Sequence, residues 1–225
     1  MPLLILLRHG KSVWNEKNLF TGWVDIPLSE TGINEALKAG SVIRHLPVDI
    51  IYTSCLVRSL MTALLAMTSH ESGKVPFLVH DEDSKAFEKS FFDNPEEKKQ
   101  LIPLIQNSSL NERMYGKLQG KNKAATEKEF GKEQVALWRR SFRTQPPEGE
   151  SLFDTAQRAV PYFNDFIKKD LDNDKNVLIA AHGNSLRSLV MEIDRLSEEE
   201  VLSLEIPTGY PIIYKYENGN FSKYR

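Results

Sequence analysis

Leu3 to Leu7 form an apolar run without alternation that stops abruptly at Arg8-His9-Gly10. Such a run predicts a strand buried on both faces, as in a parallel sheet. A second run, "NVLIAAHGN", ends the same way at His182-Gly183. Helical and extended patterns alternate between them. In "LSETGINEALKAGSVIRHL", Ile33, Ala36, Leu37, Gly40 and Ile43 recur at helical spacing; Ser29 is placed to cap the start, and Pro47 ends the helix. "VDIIYTS" and "VPFLVH" predict strands, and "LVRSLMTALLAMTSH" between them a largely buried helix. Residues 81–109 mix charges of both signs with Phe87, Phe91 and Phe92, and predict an ordered loop with one helix at most. "NKAATEKEFGKEQVALWRRSF" predicts a helix. "ESLFDTAQRAVPYFNDFIKKDL" predicts a longer one, with Ser151 and Asp154 spaced as a capping box and a kink at Pro161. "SLRSLVMEID" and "SEEEVLSL" predict two more helices, and "YPIIYKYE" the last strand.

The alternation predicts an α/β fold: a three-layer α/β/α arrangement around a mostly parallel central sheet. The chain has 225 residues. That length fits one domain over residues 1–225, with an elaboration around 81–109. With 29 basic and 31 acidic residues the formal charge is −2, so no general attraction to nucleic acid or an anionic membrane is expected. Any anion site must gather its positive charge locally. The single cysteine, Cys55, excludes an internal disulfide and fits a reducing compartment; it reads as a small packing residue. No apolar run approaches the ~18 residues of a membrane helix, and no leader pattern precedes Leu3. A cytoplasmic location is the expectation.

The two strand-to-His-Gly junctions carry the chemistry. In open α/β sheets, ligands bind beyond the carboxyl ends of the strands. A strand leaving the core there delivers its next side chain into that crevice, and a following glycine lets the backbone turn closely. A lone histidine is most often structural. Two at equivalent junctions, His9 and His182, point to one shared site. His45, His70 and His80 lack this context and read as structural or surface residues. Arg8 adjoins His9, and Arg58 follows the strand "VDIIYTS". Guanidinium matches phosphate oxygens bidentately, and neutral imidazole is a competent nucleophile near neutral pH. The combination predicts phosphoryl transfer through a phosphohistidine. There is no cysteine cluster and no H-E-x-x-H spacing, so no metal is expected.

"LLRHGKSVWN" resembles the signature of the histidine phosphatase superfamily, the phosphoglycerate mutase-like proteins. "NLFTGWVDIPLSETG", "YTSCLVRS", "LNERMYGKLQGKNK", "LWRRSF", "AAHGNSLRSLV" and "IPTGYPIIY" resemble segments of its cofactor-dependent phosphoglycerate mutases, in the same order. The resemblance implies interconversion of 3-phosphoglycerate and 2-phosphoglycerate, in glycolysis and gluconeogenesis, by an enzyme primed with 2,3-bisphosphoglycerate. It implies His9 as the phosphorylated nucleophile, Glu112 as proton donor and acceptor, and His182 as stabiliser of the phosphoryl transition state. Arg8, Asn15 and Arg58 would contact phosphate, with Gly10, Lys11 and Ser12 in the same loop and Gly183 and Asn184 beside them. Thr21, Gly22, Arg113, Met114, Tyr115, Lys123, Arg139 and Arg140 would hold the phosphoglycerate. A homodimer or homotetramer is likewise only a family expectation.

Three features depart from the family pattern. Lys11 stands where glutamate is common. The stretch before "LNERMYG" is long, and the one after Pro146-Pro147 is short. The tail after "YKYENGNFSKYR" is shorter than in many relatives, where it is thought to close over the site. Water exclusion preserves a phosphoenzyme. Three readings therefore stay open: a mutase, a phosphatase of the same superfamily, and a non-catalytic sensor of phosphorylated metabolites.

Overall fold

The structure is a computed structural model that describes residues 1–80 and 95–224. Among the described residues, seven strands form one sheet: β1 (Leu3–Arg8), β2 (Ile50–Thr53), β3 (Val75–Leu78), β4 (Leu101–Gln106), β5 (Val177–Ala181), β6 (Pro211–Glu217) and β7 (Asn220–Lys223). Their order is β3-β4-β2-β5-β1-β6-β7. The first five run parallel; β6 lies antiparallel to β1 and β7 to β6.

The lack of alternation in β1 and β5 has the expected cause: both faces of the sheet are covered. Leu4, Leu6, Ile179 and Ala181 face one core and Ile5, Leu7, Leu178 and Ala180 the other. The first core is closed by α7 (Leu152–Tyr162), α8 (Lys168–Asp172) and α9 (Gly183–Asp194). The second is closed by α2 (Glu30–Ile43) and α3 (Val57–Met67) through Ala39, Ile43, Ala63, Ala66 and Met67. This is the three-layer α/β/α arrangement.

The cap signals act where the sequence placed them. Ser29 Oγ accepts the Gly32 N–H over 3.2 Å, and Ser151 and Asp154 close a capping box. Other expectations need correction. Residues 81–94 lie outside the described residues, so an ordered loop there is not tested. The part from 95 onward holds α4 (Pro95–Lys98) and β4, which pairs with both β2 and β3. Pro103 inside β4 argues against a central strand and hid it. The helix expected from Asn122 to Phe142 is two, α5 (Lys123–Phe130) and α6 (Lys132–Arg140), parted at Gly131 with φ 86°. Pro161 has no N–H to give, and the following turn, Phe163–Ile167, widens into a π-helix. β6 is not the last strand: Asn218 and Gly219, both at positive φ, turn the chain into β7. On α2, Ala39 rather than Leu37 is fully buried. Cys55 is exposed, not a packing residue, and burial of its neighbourhood pushes its thiol pKa up rather than activating it.

Candidate active site

The carboxyl ends of β1, β2, β4 and β5 converge on one cavity of about 260 Å³. His9 leaves β1 while its N–H still donates to Ala181 O of β5 over 2.9 Å, so the ladder continues through the backbone of His9. His182 follows β5 directly. The two rings lie with centroids 4.9 Å apart, both buried. The turn after His9 depends on two glycines: a Cβ on Gly10 would sit 2.2 Å from Gly32 O, and one on Gly32 would sit 2.0 Å from Lys11 O. The entry of α2 is thereby pressed against the loop that aims His9.

His9 Nδ1 lies 2.7 Å from Gly10 O. A carbonyl only accepts, so Nδ1 carries the ring proton and Nε2 keeps the lone pair. Burial, then Arg58 and Arg8, hold the His9 pKa well below the ordinary value, against the pull of the Gly10 carbonyl. Burial and Arg58, His9, Arg8 and Arg158 do the same for His182. Both rings are therefore neutral near pH 7. Arg58 is buried; its guanidinium donates to Gly22 O (2.7 Å) and Val24 O (3.0 Å), and burial pulls its pKa down to about 10, still charged. Gly22 itself sits at φ +54°, where a Cβ would strike Gln119 Oε1 at 2.1 Å. Arg8 donates to Ile206 O over 2.7 Å, while its Nε is buried without a partner among the described residues. Thr21 Oγ1 and His182 Nδ1 are orphaned in the same way. Such groups are rare in a folded chain; those of Arg8 and Thr21 lie on the cavity wall, where a polar ligand would meet them.

Glu112 opposes the histidines. Its Oε1 accepts the N–H of Arg113 (2.8 Å) and the N–H (3.2 Å) and side-chain amide (2.8 Å) of Asn184 at the start of α9. Burial alone would raise its pKa; the Arg113 N–H, Arg8, Asn184 and Arg58 outweigh it and hold the carboxyl below the ordinary value. Oε1 is saturated, which leaves Oε2 for proton exchange.

Farther out, Asn15, Tyr115, Lys123, Arg139 and Arg140 line the cavity, together with Gly183. The small cluster of Phe20, Leu118, Val135 and Trp138 ties α6, with its two terminal arginines, to the Thr21–Gly22 segment. Six expected residues lie beside the cavity rather than on its wall; His182, fully buried, is one of them. Gly10 shapes the turn. Lys11 is exposed, its N–H on Glu35. Ser12 caps the short helix α1 (Val13–Glu16) through Asn15. Arg113 donates to Tyr115 Oη (3.1 Å) and Arg139 O (3.0 Å), holding two wall residues in place. Met114 gives its N–H to Glu150 over 3.0 Å.

Sequence reasoning missed Arg187, Glu205 and Ile206 on the wall. Arg187 had a signal: it lies one turn along α9 from Gly183, on the same face. It missed Arg158 as well. This α7 guanidinium is held by both oxygens of Glu150 (3.0 and 2.8 Å) and donates to Ser109 O (2.8 Å), Asn111 O (3.0 Å) and Glu112 O (2.9 Å). Trp23 Nε1–H also reaches Glu112 O.

Six cationic side chains (Arg8, Arg58, Lys123, Arg139, Arg140 and Arg187) thus face two carboxylates, Glu112 and Glu205. The start of α9 adds its own positive end. His9, Glu112 and His182 offer ligand atoms within 4.8 Å of one another, a spacing a metal could bridge. The field of Arg8 and Arg58 that disfavours a proton on either imidazole disfavours a metal cation equally. The donor set fits a multiply charged anion.

A neutral histidine with a free Nε2 in an arginine cradle, at the carboxyl edge of a parallel sheet, is a site built for phosphoryl transfer. The chain belongs to the histidine phosphatase superfamily (branch 1), whose family model matches residues 4–82 and 95–224. It is 63% identical over 224 residues to the 2,3-bisphosphoglycerate-dependent phosphoglycerate mutase of Chlamydia pneumoniae, covering 100% of this chain and 98% of that one. To the protein of the same name from Chlamydia caviae it is 62% identical, with the same coverage. Among solved structures, Bacillus stearothermophilus YhfR matches with a TM-score of 0.76 at 22% identity, over 99% of this chain and 95% of that one. A mycobacterial glucosyl-3-phosphoglycerate phosphatase matches with a TM-score of 0.74 at 22% identity, over 99% and 97%. These two share the fold.

Proposed function

We propose that this chain is a 2,3-bisphosphoglycerate-dependent phosphoglycerate mutase, interconverting 3-phosphoglycerate and 2-phosphoglycerate in glycolysis and gluconeogenesis. The observation that carries it is the concentration of six cations around a neutral, correctly protonated His9 with Glu112 opposite. A bisphosphoglycerate carries two phosphates and a carboxylate, more charge than one arginine pair offsets. The orphaned Arg8 Nε and Thr21 Oγ1 and the surrounding cations fit such a ligand. When bound, 2,3-bisphosphoglycerate supplies the phosphoryl group that primes the enzyme.

In this reading His9 Nε2 accepts the phosphoryl group and returns it. Arg8 and Arg58 offset charge on the equatorial oxygens, with His182 beside them. Glu112 Oε2 takes the proton of the substrate hydroxyl when that oxygen is phosphorylated and gives it back in the reverse step. Lys123, Tyr115, Arg139 and Arg140 hold the far end of the substrate, and Arg113 orders Tyr115 and Arg139 from behind. No metal takes part. The same reading places residues 1–225 in one domain, in the cytoplasm, as a homodimer or homotetramer. No helix among the described residues is long and apolar enough to cross a membrane.

The test supplies 3-phosphoglycerate with a trace of 2,3-bisphosphoglycerate and tracks 2-phosphoglycerate and inorganic phosphate together. A mutase makes mainly 2-phosphoglycerate and is stimulated by the primer. Mainly inorganic phosphate would make the chain a phosphatase, and neither product a sensor.

A further inference from the structure

Behind His182 lie two serines that the mechanism leaves unused. Ser54, the residue after β2, and Ser59 on α3 are both fully buried. Their Oγ atoms are 2.6 Å apart, and Ser54 Oγ lies 2.7 Å from His182 Nε2. The Leu56 N–H donates to Ser54 Oγ over 3.1 Å. The other ring nitrogen, His182 Nδ1, is buried with no partner among the described residues. Its ring is tilted 59° against that of His9, with centroids 4.9 Å apart.

A hydroxyl has one proton to give and two lone pairs to accept with. Two arrangements satisfy the relay. In the first, Ser59 donates to Leu56 O (2.9 Å), Ser54 to Ser59, and His182 Nε2–H to Ser54. In the second, Ser59 donates to Ser54, Ser54 donates to His182 Nε2, and the ring proton sits on Nδ1. Leu56 O stays paired in the second, because the N–H groups of Ser59 (3.0 Å) and Leu60 (3.4 Å) already reach it. The group standing before Nδ1 decides between them. With the charges of Arg58 and Arg8 acting on the ring and no anion bound, a lone pair there is favoured. Facing a phosphoryl oxygen, a lone pair repels and an N–H donates. A neutral imidazole has one N–H, so the proton must be kept off Nε2 for Nδ1 to offer it.

We propose that Ser54, turned by Ser59, is a positioning residue: with an anion bound, its hydroxyl donates to His182 Nε2, so that Nδ1 presents an N–H to the phosphoryl group on or near His9. The catalytic meaning of this contact rests on the mutase reading; the position of the ring proton does not.

The first measurement uses the wild-type protein. Histidine-selective 15N NMR is recorded without and with saturating inorganic phosphate, and His182→Asn assigns the resonances. With phosphate, His182 is expected to show a pyrrole-type Nδ1 and a pyridine-type Nε2. A pyrrole-type Nε2, or a doubly protonated ring, overturns the proposal. The second measurement is kinetic. Ser54→Ala should lower kcat about ten- to hundredfold, the size of other losses of an orienting partner. KM should stay within about twofold. A raised KM with unchanged kcat would make Ser54 a packing residue. If wild-type protein shows the expected tautomer but no mutase turnover, the functional reading fails and the proton placement stands.

Discussion

Arg158→Met tests how firmly the Glu112 carboxylate must be held. The arginine joins the short segment after Pro147, through Glu150, to three carbonyls at Ser109, Asn111 and Glu112. Methionine keeps the apolar stem and removes the guanidinium. Breaking a fully buried ion pair costs about 3–5 kcal/mol. The Arg158 and Glu150 side chains are 18% and 21% exposed, and Glu150 keeps the Met114 N–H, so the lower end, about 3 kcal/mol, applies. For a chain of this size that lowers Tm by about 6–12 °C. The chemistry should suffer separately. Among the described residues, Trp23 would then be the remaining side-chain donor to Glu112 O, with Asn107 Oδ1 holding the Ser109 N–H at the other end. A shift near 1 Å at a reacting group costs on the order of a hundredfold. Thermal unfolding gives the first quantity; kcat and KM, measured well below the lowered Tm, give the second. kcat should fall by about two orders of magnitude with KM little changed. A destabilised variant with wild-type kcat would refute the clamp, because Glu112 would then be positioned without it.

Three further outcomes rest on the same geometry. His9→Ala should abolish acid-labile labelling of the protein by 2,3-bisphosphoglycerate, read by phosphate transfer to the protein; normal labelling would move the nucleophile elsewhere. Glu112→Gln keeps the shape and the Oε1-side contacts but cannot exchange a proton, so kcat should drop by about 10²–10⁴ while KM moves little. The third concerns pH. His9 and His182 have folded pKa values well below their ordinary 6.5. As pH falls below that value the unfolded chain takes up protons that the folded chain refuses. Stability is therefore full above about pH 6.5 and declines below it, by at most ~1.4 kcal/mol per pH unit for each histidine. Tm recorded from pH 7.5 to 5.5 should fall (both limits being about one unit from the ordinary pKa), and the double variant His9→Asn, His182→Asn should flatten the slope. A wild-type Tm that is level or rising over that window contradicts the assignment of neutral rings.

Much of the site was legible because strand ends are legible. β1 and β5 announce themselves as unbroken apolar runs, and each run gives way to a histidine and a glycine. Their burial on both faces, by α2 and α3 on one side and α7 to α9 on the other, is the physical content of that pattern. The arginines of α6 and the Glu112 motif came from resemblance; nothing in their local spacing sets them apart from solvated charges. Arg158 was invisible for a related reason. Its value lies in carbonyls 46 to 49 positions away, and an isolated arginine on an amphipathic helix looks like surface. β4 was hidden by Pro103, since a strand rule that is sound for edges misjudged an interior strand. The β6–β7 hairpin had its Asn-Gly signal in plain view. Gly131 had one too, but helical propensity on both sides masked the break.

The backbone bond from His9 to Ala181 bears on how this protein can change. The distance between the two imidazoles is set by neighbouring rungs of a parallel ladder, not by the long excursion of chain that separates them. Loops in that excursion are free to lengthen, shorten or be exchanged, reshaping which molecule is admitted, while the two imidazoles stay in register.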